Sequence, residues 1–414
     1  MIQIKMIYLA NMRIPTEKAH GVQILKMCQA FQEKGISIEL VVPFRFNHRV
    51  LRSVKLKDYY HLHSDIAYQI LPAIDLLPLG KIFRIFQNYF ESLFAHIHRF
   101  TFSFSFMFYI LCLKKDINII YTRDVNIFAL VSPLLNFFLP KLNFVLEIHS
   151  IPEIKWRRRR FFKIVSKANL IVSINQQMKQ IILKEILQKH LHIIVAHDAV
   201  DLRTYENSFE KMELREKLCF PKDKYILSFV GALHTNGQEK GVSDIIKASK
   251  IIFGKRSDVI FCFVGGPLQL IKKYKDLISR YSLDQNNYIF IDKKPLAEVP
   301  FFLWASDILL MPHPDFYFYK YCISPLKLFE YMASCRPILA SAIPSILEIL
   351  THKENAYLVQ PSSPDLLAVG IEELLSDHDL RDRISKRAFS DVQKMTWENR
   401  ASEIIKSFDL ILKY

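Results

Sequence analysis

The sequence predicts an α/β protein with two domains and parallel sheets, and three observations carry this prediction. A strand, a loop, a helix and a strand follow one another at Ile4–Leu9, Asn11–Gly21, Val22–Lys34 and Ile36–Pro43, which is how a parallel sheet begins. The chain has 414 residues, enough for two domains of ordinary size. The strand pattern restarts at Tyr225–Val230 after a polar segment without clear periodicity, which we expect to link the domains.

Composition narrows the class of protein further. Half of the residues are hydrophobic and 23% are charged, which is typical of a folded protein and not of a disordered one. The net charge of +15 favours anionic partners. The six cysteines lie far apart and form no CxxC pair, so we expect neither a metal cluster nor a disulfide framework, and a reducing cytosol is the expected setting. The apolar run at the N-terminus is too short for a signal peptide.

Polar side chains follow the predicted strands of the first half of the chain. Arg123 and Asp124 come directly after the strand Ile117–Tyr121, and His149 follows the strand Phe144–Ile148. The loop before the first helix carries His20-Gly21. Ligands of open α/β sheets bind at such carboxyl ends of strands, so these positions are candidates for a binding site. A simple ion pair that caps a helix is the alternative for Arg123-Asp124.

Two stretches of the first half combine aromatic and basic residues. Lys81–Leu113 includes an almost uncharged run that is shorter than the ~20 residues a transmembrane helix needs. It fits either a helix packed in the core or a helix that touches a membrane surface. Trp156–Phe162 contains Arg157, Arg158, Arg159 and Arg160, which predict a contact with phosphate or anionic lipid. A solvated helix face is the alternative for these arginines.

A capped helix is predicted to begin at Ser324-Pro325 in the second half. Serine is suited to the N-cap and proline to the first helical position, and an apolar face recurs at helical spacing from Leu326 onward. The free N–H groups at such a helix N-terminus suit a phosphate. The carboxylate of Glu330, on the second turn, could hold a sugar diol. The alternative is an ordinary capped helix of an α/β core.

Six fragments of the chain resemble, in the same order, segments of the retaining glycosyltransferases of family 4. That family has the GT-B architecture, in which two Rossmann-like domains with parallel sheets face each other across a cleft. Each fragment is weakly specific alone, but the order and spacing of all six make the resemblance strong over essentially the whole length. The fragments are ANMRIPTEKAHGVQILKMCQAF, VLEIHS, FVGALHTNGQEKG, WASDILLMPHP, SPLKLFEYMASCRPILAS and MTWENRA.

The resemblance implies roles for particular residues. Glu330 would hold the ribose hydroxyls of a nucleotide sugar, and Lys240 would meet its diphosphate, so that no metal or other cofactor is required. His149 would face the donor sugar and the acceptor, and Arg123 is a candidate for the acceptor side. The implied donor-binding residues are His20, Gly21, Gly231, Lys240, Ser324, Pro325, Lys327 and Glu330.

The sequence also departs from the family pattern at three positions. Cys322 stands where the first acid of the family's paired-acid motif is expected, and Ala232 stands where a basic residue often follows the glycine of the phosphate loop. Lys327 and His234 are candidates to replace that missing cation. Cys335 occupies a position where glycine is common.

We therefore expect a cytoplasmic glycosyltransferase that moves a hexose from a nucleotide diphosphate sugar to a glycan or glycolipid in cell-envelope polysaccharide synthesis. A peripheral position on the inner face of the plasma membrane is expected, and nucleic acid is not. The alternatives are a nucleotide-sugar epimerase of the same fold, and a basic scaffold that binds polyanions with a degenerate donor site. The expected domains are an acceptor-binding domain (1–203), a linker (204–222), a nucleotide-sugar domain (223–395) and a helix that crosses back to the first domain (396–414).

Overall fold

The structure is a computed structural model that describes residues 4–47, 51, 53–80, 87–113, 116–186, 191–206, 209–235, 237–266 and 268–412. The chain divides into two compact units. The first unit comprises Met1–His197 together with Trp397–Tyr414, and the second comprises Asp198–Thr396. No helix in the described part of the chain is both long enough and apolar enough to cross a membrane. Residues 81–86 of the aromatic and basic stretch lie outside the described residues.

The first unit contains a parallel sheet of seven strands in the order β3-β2-β1-β4-β5-β6-β7. Its strands are β1 Lys5–Leu9, β2 Ser37–Pro43, β3 Tyr68–Leu71, β4 Ile119–Thr122, β5 Asn143–Ile148, β6 Leu170–Ser173 and β7 Ile193–Val195. Its helices from the first segment are α1 Ala19–Glu33, α2 Leu56–Tyr60, α3 Leu77–Gly80, α4 Gln87–Leu113, α5 Val125–Phe138, α6 Lys155–Val165 and α7 Gln176–Glu185. The strand order reverses beside β1, and at such a switch point the loops leave a crevice for a ligand.

The second unit repeats this plan with a parallel sheet of six strands in the order β12-β11-β8-β13-β14-β15. Its strands are β8 Tyr225–Val230, β11 Val259–Val264, β12 Tyr288–Ile291, β13 Ile308–Met311, β14 Ile338–Ser341 and β15 Tyr357–Val359, and a short hairpin pairs β9 His234–Thr235 with β10 Gln238–Glu239. Its helices are α8 Lys211–Lys217, α9 Val242–Phe253, α10 Leu268–Arg280, α11 Val299–Ala305, α12 Tyr317–Tyr321, α13 Leu326–Ala333, α14 Pro364–Ser376 and α15 His378–Val392. The order reverses beside β8, so each unit has one switch point. The two parallel α/β domains that the sequence predicts are confirmed.

The boundary between the units differs from the predicted one. The first unit ends at His197 and not at residue 203, and the predicted linker 204–222 is part of the second unit. Helix α8 forms within it, and Leu214 and Phe220 belong to the hydrophobic core of the second unit. Arg215 is buried and forms an ion pair with Asp307, which precedes β13. The linker prediction is wrong because a charged residue that looks solvated in the sequence finds its partner far along the chain.

The first helix also begins earlier than predicted. Helix α1 starts at Ala19, so that His20 and Gly21 lie in its first turn and not in the preceding loop. A side chain at Gly21 would collide with Thr16 and with the hydroxyl of Tyr60. The hydroxyl of Tyr60 accepts a hydrogen bond from the backbone N–H of Thr16 at 2.7 Å. Glycine is therefore required here because the β1–α1 loop packs directly on the first turn of the helix.

The last helix, α16 Trp397–Lys406, is attached to the first unit by a buried ion pair. Arg400 Nη2 lies 3.2 Å from Oε2 of Glu147, and both side chains are almost completely inaccessible to solvent. The Arg400 guanidinium also donates to the backbone carbonyls of His197 at 2.8 Å and Ala196 at 3.2 Å. Since a charge left alone in the interior is costly, each member of this pair depends on the other.

We predict that Arg400→Met destabilises the protein by about 3–5 kcal/mol, because it leaves the Glu147 carboxylate buried with its main positive partner removed. Urea unfolding measures the loss, and amide hydrogen exchange should rise selectively within Trp397–Lys406. Arg387→Met is the matched control, since Arg387 is exposed and its pair with Asp391 is worth less than about 1 kcal/mol. Equal stability of the two variants would contradict the assignment of Arg400 as an anchor.

Candidate active site

Two loops at the switch point of the second unit touch through their glycines. Gly231 follows β8 with φ +135°, and Gly265 follows β11 with φ +146°. A side chain on Gly265 would overlap the carbonyl of Gly231. The close backbone approach therefore requires glycine, and it leaves the end of β8 open to a ligand.

Lys240 is held beside the end of β13 by a similar constraint. The next residue, Gly241, caps α9 with φ +86°, and a side chain there would overlap the carbonyl of Pro312. The backbone N–H of Lys240 donates to Leu233 O at 3.0 Å, which closes the loop between β8 and α9. The position of this lysine is thus determined by its backbone, as the phosphate-loop prediction requires.

Lys327 lies in the first turn of α13 and is buried against the same loop. Its side chain passes directly beside Gly231. A Cβ atom built on this glycine would lie 3.5 Å from Cδ of Lys327. Its Nζ lies 3.8 Å from the centroid of the Phe229 ring and has no hydrogen-bond partner among the described residues. A buried ammonium group without such a partner is rare, and in a site near a switch point it indicates a place for an anion.

The electrostatics of this cluster confirm that positive charge is crowded there. Burial lowers the pKa of Lys240 to about 8. Burial, and then the charge of Lys240, hold the pKa of Lys327 well below its ordinary value. The pKa of the buried His313, just after β13, is lowered by burial and then by both lysines. Both ring nitrogens of His313 lack a hydrogen-bond partner in the described part of the chain. A bound anion would favour the protonated forms of Lys240, Lys327 and His313, and would therefore oppose the lowering of their pKa values.

Glu330 lies one turn after Lys327 on α13. Burial raises the pKa of its carboxyl group to about 7, against the opposing charge of Lys327. Its charge in turn helps to raise the pKa of Tyr205, after the larger effect of burial, so the phenol and the carboxyl group are close. The hydroxyl of Tyr331 accepts from Val230 N at 2.7 Å and donates to Val230 O at 3.0 Å, which fixes α13 to the end of β8.

The start of α13 differs from the predicted capping. Pro325 is the N-cap residue, and Ser324 does not cap the helix because its hydroxyl accepts from the backbone N–H of Asp198 at 2.8 Å. Cys322 is buried at the end of α12. Cys335 adopts φ +53°, a left-handed conformation that explains why glycine is common at its position.

Of the two candidates for the missing cation, the structure favours Lys327. His234 Nε2 bonds to the hydroxyl of Tyr274 at 2.9 Å, and burial lowers the pKa of the imidazole, so it is neutral near pH 7. Ala232 is exposed beside Gly231. Glu348 lies in the turn after β14.

In the first unit, His20, Arg123 and His149 come together at the switch point. Arg123 Nη1 donates to Gln23 Oε1 at 2.7 Å, and Gln23 Nε2 donates to Glu147 Oε1 at 2.6 Å. The imidazole of His149 donates through Nε2 to the same carboxylate. Asp124 caps α5 by accepting from two backbone N–H groups, so the capping alternative holds for the aspartate and not for Arg123. Together these contacts fix the orientation of the imidazole of His149.

Glu147 is the centre of this network. The carboxylate is fully buried and also accepts a hydrogen bond from Tyr121. Burial opposes its ionisation, but Arg400 and then His149 hold its pKa below the ordinary value. Burial, followed by the charge of Arg123, lowers the pKa of His149 and of His20 to about 4, so both imidazoles are neutral at pH 7. Nε2 of the neutral His149 carries the proton, because it donates the hydrogen bond to Glu147. Its Nδ1 is therefore unprotonated and can accept a hydrogen bond.

Some site residues were not identified from the sequence. Glu147 lies on β5, two residues before His149, and this spacing could have revealed it. Gln23, His313 and Arg400 carry no comparable local signal, because each is defined by contacts with distant segments.

The arginines of α6 divide into two groups. Arg157, Arg159 and Arg160 are exposed, and the Arg157 guanidinium lies 5.2 Å from the ring centroid of Trp156. Arg158 instead pairs with Glu185 at 2.9 Å. Only three of the four predicted arginines therefore face solvent in this structure.

Comparison with known proteins identifies the chain's class. Residues 210–391 match the family model described as glycosyl transferases group 1. An uncharacterized glycosyltransferase of Methanocaldococcus jannaschii is 23% identical over 376 residues, which cover 86% of this chain and 88% of that protein. The capsular polysaccharide biosynthesis glycosyltransferase CapM of Staphylococcus aureus is 20% identical, over 56% of this chain and 60% of that protein.

The solved structures extend the likeness to the whole fold. The crystal structure of Anabaena HepE in complex with UDP-glucose has a TM-score of 0.72 and 17% sequence identity, and the match covers 98% of this chain and all of that one. The GT-B fold class is therefore confirmed. The match over residues 210–391 and the glycosyltransferase relatives confirm the predicted enzyme class, a glycosyltransferase.

Proposed function

We propose that the protein transfers a hexose, with retention of configuration, from a nucleoside diphosphate sugar to a glycan or glycolipid. The observation that carries the proposal is the pair of lysines beside the glycine loops of the second unit, the half-buried Lys240 and the buried Lys327. A diphosphate is the anion that two adjacent ammonium groups suit best. The UDP-glucose complex of the structurally similar HepE supports a nucleotide sugar as the donor.

Each donor group would then have a chemical partner. The diphosphate would lie against Lys240, Lys327 and the N-terminal turn of α13, where free N–H groups favour a phosphate. Glu330, as a carboxylate, would accept hydrogen bonds from two neighbouring ribose hydroxyls. His149, whose Nδ1 is an acceptor, would orient a sugar hydroxyl rather than transfer a proton, because its imidazole is neutral and weakly basic.

The proposed reaction needs no metal ion. The bond from the anomeric carbon to the diphosphate oxygen breaks, and the leaving nucleoside diphosphate takes the electron pair. The two lysines stabilise that charge. The acceptor oxygen bonds to the same face of the sugar and gives its proton to a donor phosphate oxygen. Proton NMR of the product tests retention, since an α-configured donor should give an α-linkage and a β-linkage would contradict it.

We predict that UDP-glucose binds in the presence of EDTA, as measured by calorimetry. Glu330→Ala and Lys327→Met should each weaken binding about tenfold to a hundredfold, because each removes hydrogen bonds to a charged group worth about 1.5–3 kcal/mol. Lys327→Met should also make the ligand-free protein more stable, since it removes a buried amino group whose Nζ has no hydrogen-bond partner among the described residues. Replacement of a purely structural lysine would not weaken UDP-glucose binding and at the same time make the ligand-free protein more stable.

The exposed residues Glu354 and Lys272 supply matched controls for that experiment, as Glu354→Ala and Lys272→Met. Neither substitution should change the affinity for UDP-glucose. If Glu330→Ala binds the nucleotide sugar as tightly as the parent protein, the donor site is assigned to the wrong residues. Loss of binding on addition of EDTA would contradict the metal-free mechanism.

A second prediction concerns pH. In the free protein the pKa of Lys240 is about 8 and that of Glu330 about 7. The diphosphate requires the protonated lysine, so affinity should fall as pH rises above about 8. The ribose diol requires the carboxylate, so affinity should also fall as pH drops below about 7. UDP-glucose affinity should therefore peak between these values, and Lys240→Met should make the alkaline decline less steep, leaving the part that comes from Lys327, whose pKa is also lowered. A profile that rises steadily from pH 7 to 9 would refute the lysine assignment.

We further propose that the enzyme acts at an anionic membrane surface during synthesis of a cell-envelope polysaccharide. The apolar outer faces of α4 and α5 support this proposal. Phe104 and Phe108, one turn apart on α4, are 64% and 61% exposed, and Phe137 on α5 is 78% exposed. Exposed aromatic side chains on two helices that pack against each other are typical of an interaction site. The similarity to CapM, a capsular polysaccharide biosynthesis glycosyltransferase, supports the envelope role.

Charge favours a lipid surface over a second copy of the chain. Helices α4, α5 and α6 carry seven Lys and Arg residues (one on α4, six on α6) and one acid, Glu91. A two-fold contact would place this positive surface against itself, whereas anionic lipid complements it. Aromatic rings beside cations are also the usual composition of a helix in the lipid interface.

We predict that the protein floats with phosphatidylglycerol vesicles and that Phe104→Ser/Phe108→Ser reduces binding more than tenfold. Burial of each phenylalanine contributes about 1.5–3 kcal/mol, and this part should survive 0.5 M NaCl. Arg159→Ser/Arg160→Ser should instead remove the salt-sensitive part. Leu366→Ser/Phe389→Ser is the control, since both residues are exposed in the second unit. Binding of the phenylalanine variant at the parent level would exclude this surface.

A further inference from the structure

The first unit contains a cavity of about 740 Å³ that lies beyond the carboxyl ends of β1 and β2 and along β3. Ile14 and Pro15 line it from the β1–α1 loop, residues 43–47 from the end of β2, and residues 53–57 from the start of α2. A volume of this size is typical of sites for ligands larger than a monosaccharide. None of the residues predicted to bind the donor lines it.

The floor of the cavity is an apolar face of the edge strand β3. Tyr68 and Ile70 alternate onto one face of this strand, and both line the cavity. They are 47% and 42% exposed, so this face of the strand is not buried in the core. Phe44 and Phe46 add two more exposed aromatic rings from the end of β2. Apolar surface that the fold leaves uncovered inside a cavity indicates a ligand with an apolar part.

The rim of the cavity is cationic. Arg45, Lys55 and Lys57 line it together with a single acid, Asp65. Arg45 is half-buried, and its positive neighbours include Arg13 and Arg99. Its nearest acid, Asp75, already accepts hydrogen bonds from the backbone N–H groups of Phe46 at 2.9 Å and Leu77 at 3.3 Å. The rim therefore keeps an excess of positive charge, which suits a ligand with an anionic group.

The cavity shares a loop with the predicted site histidines of the same unit. The loop that contributes Ile14 and Pro15 continues into the first turn of α1, where His20 lies. Asn47 Nδ2 donates to the carbonyl of Pro15 at 2.8 Å, which joins the β1 and β2 loops across the cavity. The cavity thus lies at the same end of the sheet as His149.

Resting on the proposed transfer reaction, we propose that this cavity is the acceptor subsite and that the acceptor is an anionic amphiphile. Its phosphate would lie among Arg45, Lys55 and Lys57. Its hydrocarbon chain would lie along Tyr68 and Ile70, which a free sugar phosphate would leave uncovered. The acceptor class is therefore a glycan carried through phosphate on a hydrocarbon chain.

Calorimetry with three monomeric probes tests this assignment on the full-length protein: farnesyl phosphate, farnesol and glucose 1-phosphate. Farnesyl phosphate should bind at least tenfold more tightly than either of the others. Lys55→Glu/Lys57→Glu and Tyr68→Ser/Ile70→Ser should each weaken it at least tenfold. These residues are at the protein surface, so the variants should fold, and unchanged UDP-glucose affinity provides the check.

Two control variants test whether farnesyl phosphate binds specifically in the cavity. Lys272→Glu/Lys275→Glu makes the same change of net charge on an exposed helix of the second unit and should leave farnesyl phosphate binding unchanged. Phe104→Ser/Phe108→Ser, on the proposed membrane surface, should also leave it unchanged.

The outcomes distinguish this inference from the proposed function. UDP-glucose binding without tight farnesyl phosphate binding, or with binding insensitive to both cavity variants, overturns the acceptor assignment alone. Glucose 1-phosphate that binds as tightly as farnesyl phosphate assigns a free sugar phosphate and overturns the lipid part. Farnesyl phosphate binding in the cavity without any nucleotide-sugar binding overturns the proposed function and the acceptor role, and leaves the cavity as a site for an anionic amphiphile.

Discussion

The reversal of strand order beside the first strand of each sheet is the constraint on which the functional part of this structure depends. At this point of a parallel sheet, the loops after two neighbouring strands run in opposite directions and leave a crevice. Side chains at the carboxyl ends of the two strands can contact a ligand there. In the second unit this places Gly231, Lys240 and His313 around one crevice. In the first unit it places His20, Arg123 and His149 together. The same topology thus produces two sites of very different electrostatic character.

The two sites differ in how their charges are compensated. In the second unit, the half-buried Lys240 acts on the buried Lys327, and Lys327 lacks a hydrogen-bond partner in the described part of the chain. In the first unit, the carboxylate of Glu147 is surrounded by four partners, among them Arg400 and His149. A fully satisfied network is rigid and orients its members, whereas an unsatisfied cation attracts an anion. The Glu147 network of the first unit therefore suits the positioning of side chains, and the lysines of the second unit suit the binding of an anion.

Local patterns were sufficient to predict the two α/β domains and the placement of Lys240 and Glu330, because strand ends, glycines and helix starts are encoded within a few residues. They were insufficient where distant segments decide the structure. Residues 204–222 look like a linker until Arg215 is seen to pair with Asp307, 92 residues away. Ser324 looks like a helix cap until its hydroxyl is engaged by Asp198. The departures at Ala232 and Cys322 leave the phosphate loop without an expected cation, and only packing reveals that the side chain of Lys327 lies beside Gly231.

The buried pair of Arg400 and Glu147 also has a consequence for how the protein is made. The ribosome synthesises Glu147 early, together with its neighbours Tyr121 and Gln23. Arg400 lies in α16, which is synthesised after the whole second unit. Until those residues emerge, the first sheet lacks the guanidinium group that contributes most to keeping the buried Glu147 carboxylate ionised. The second unit, by contrast, is continuous in sequence and can complete its core before synthesis ends. The first unit to be translated is therefore the last to be finished, and a chain released early would lack an intact first unit while its second unit is folded.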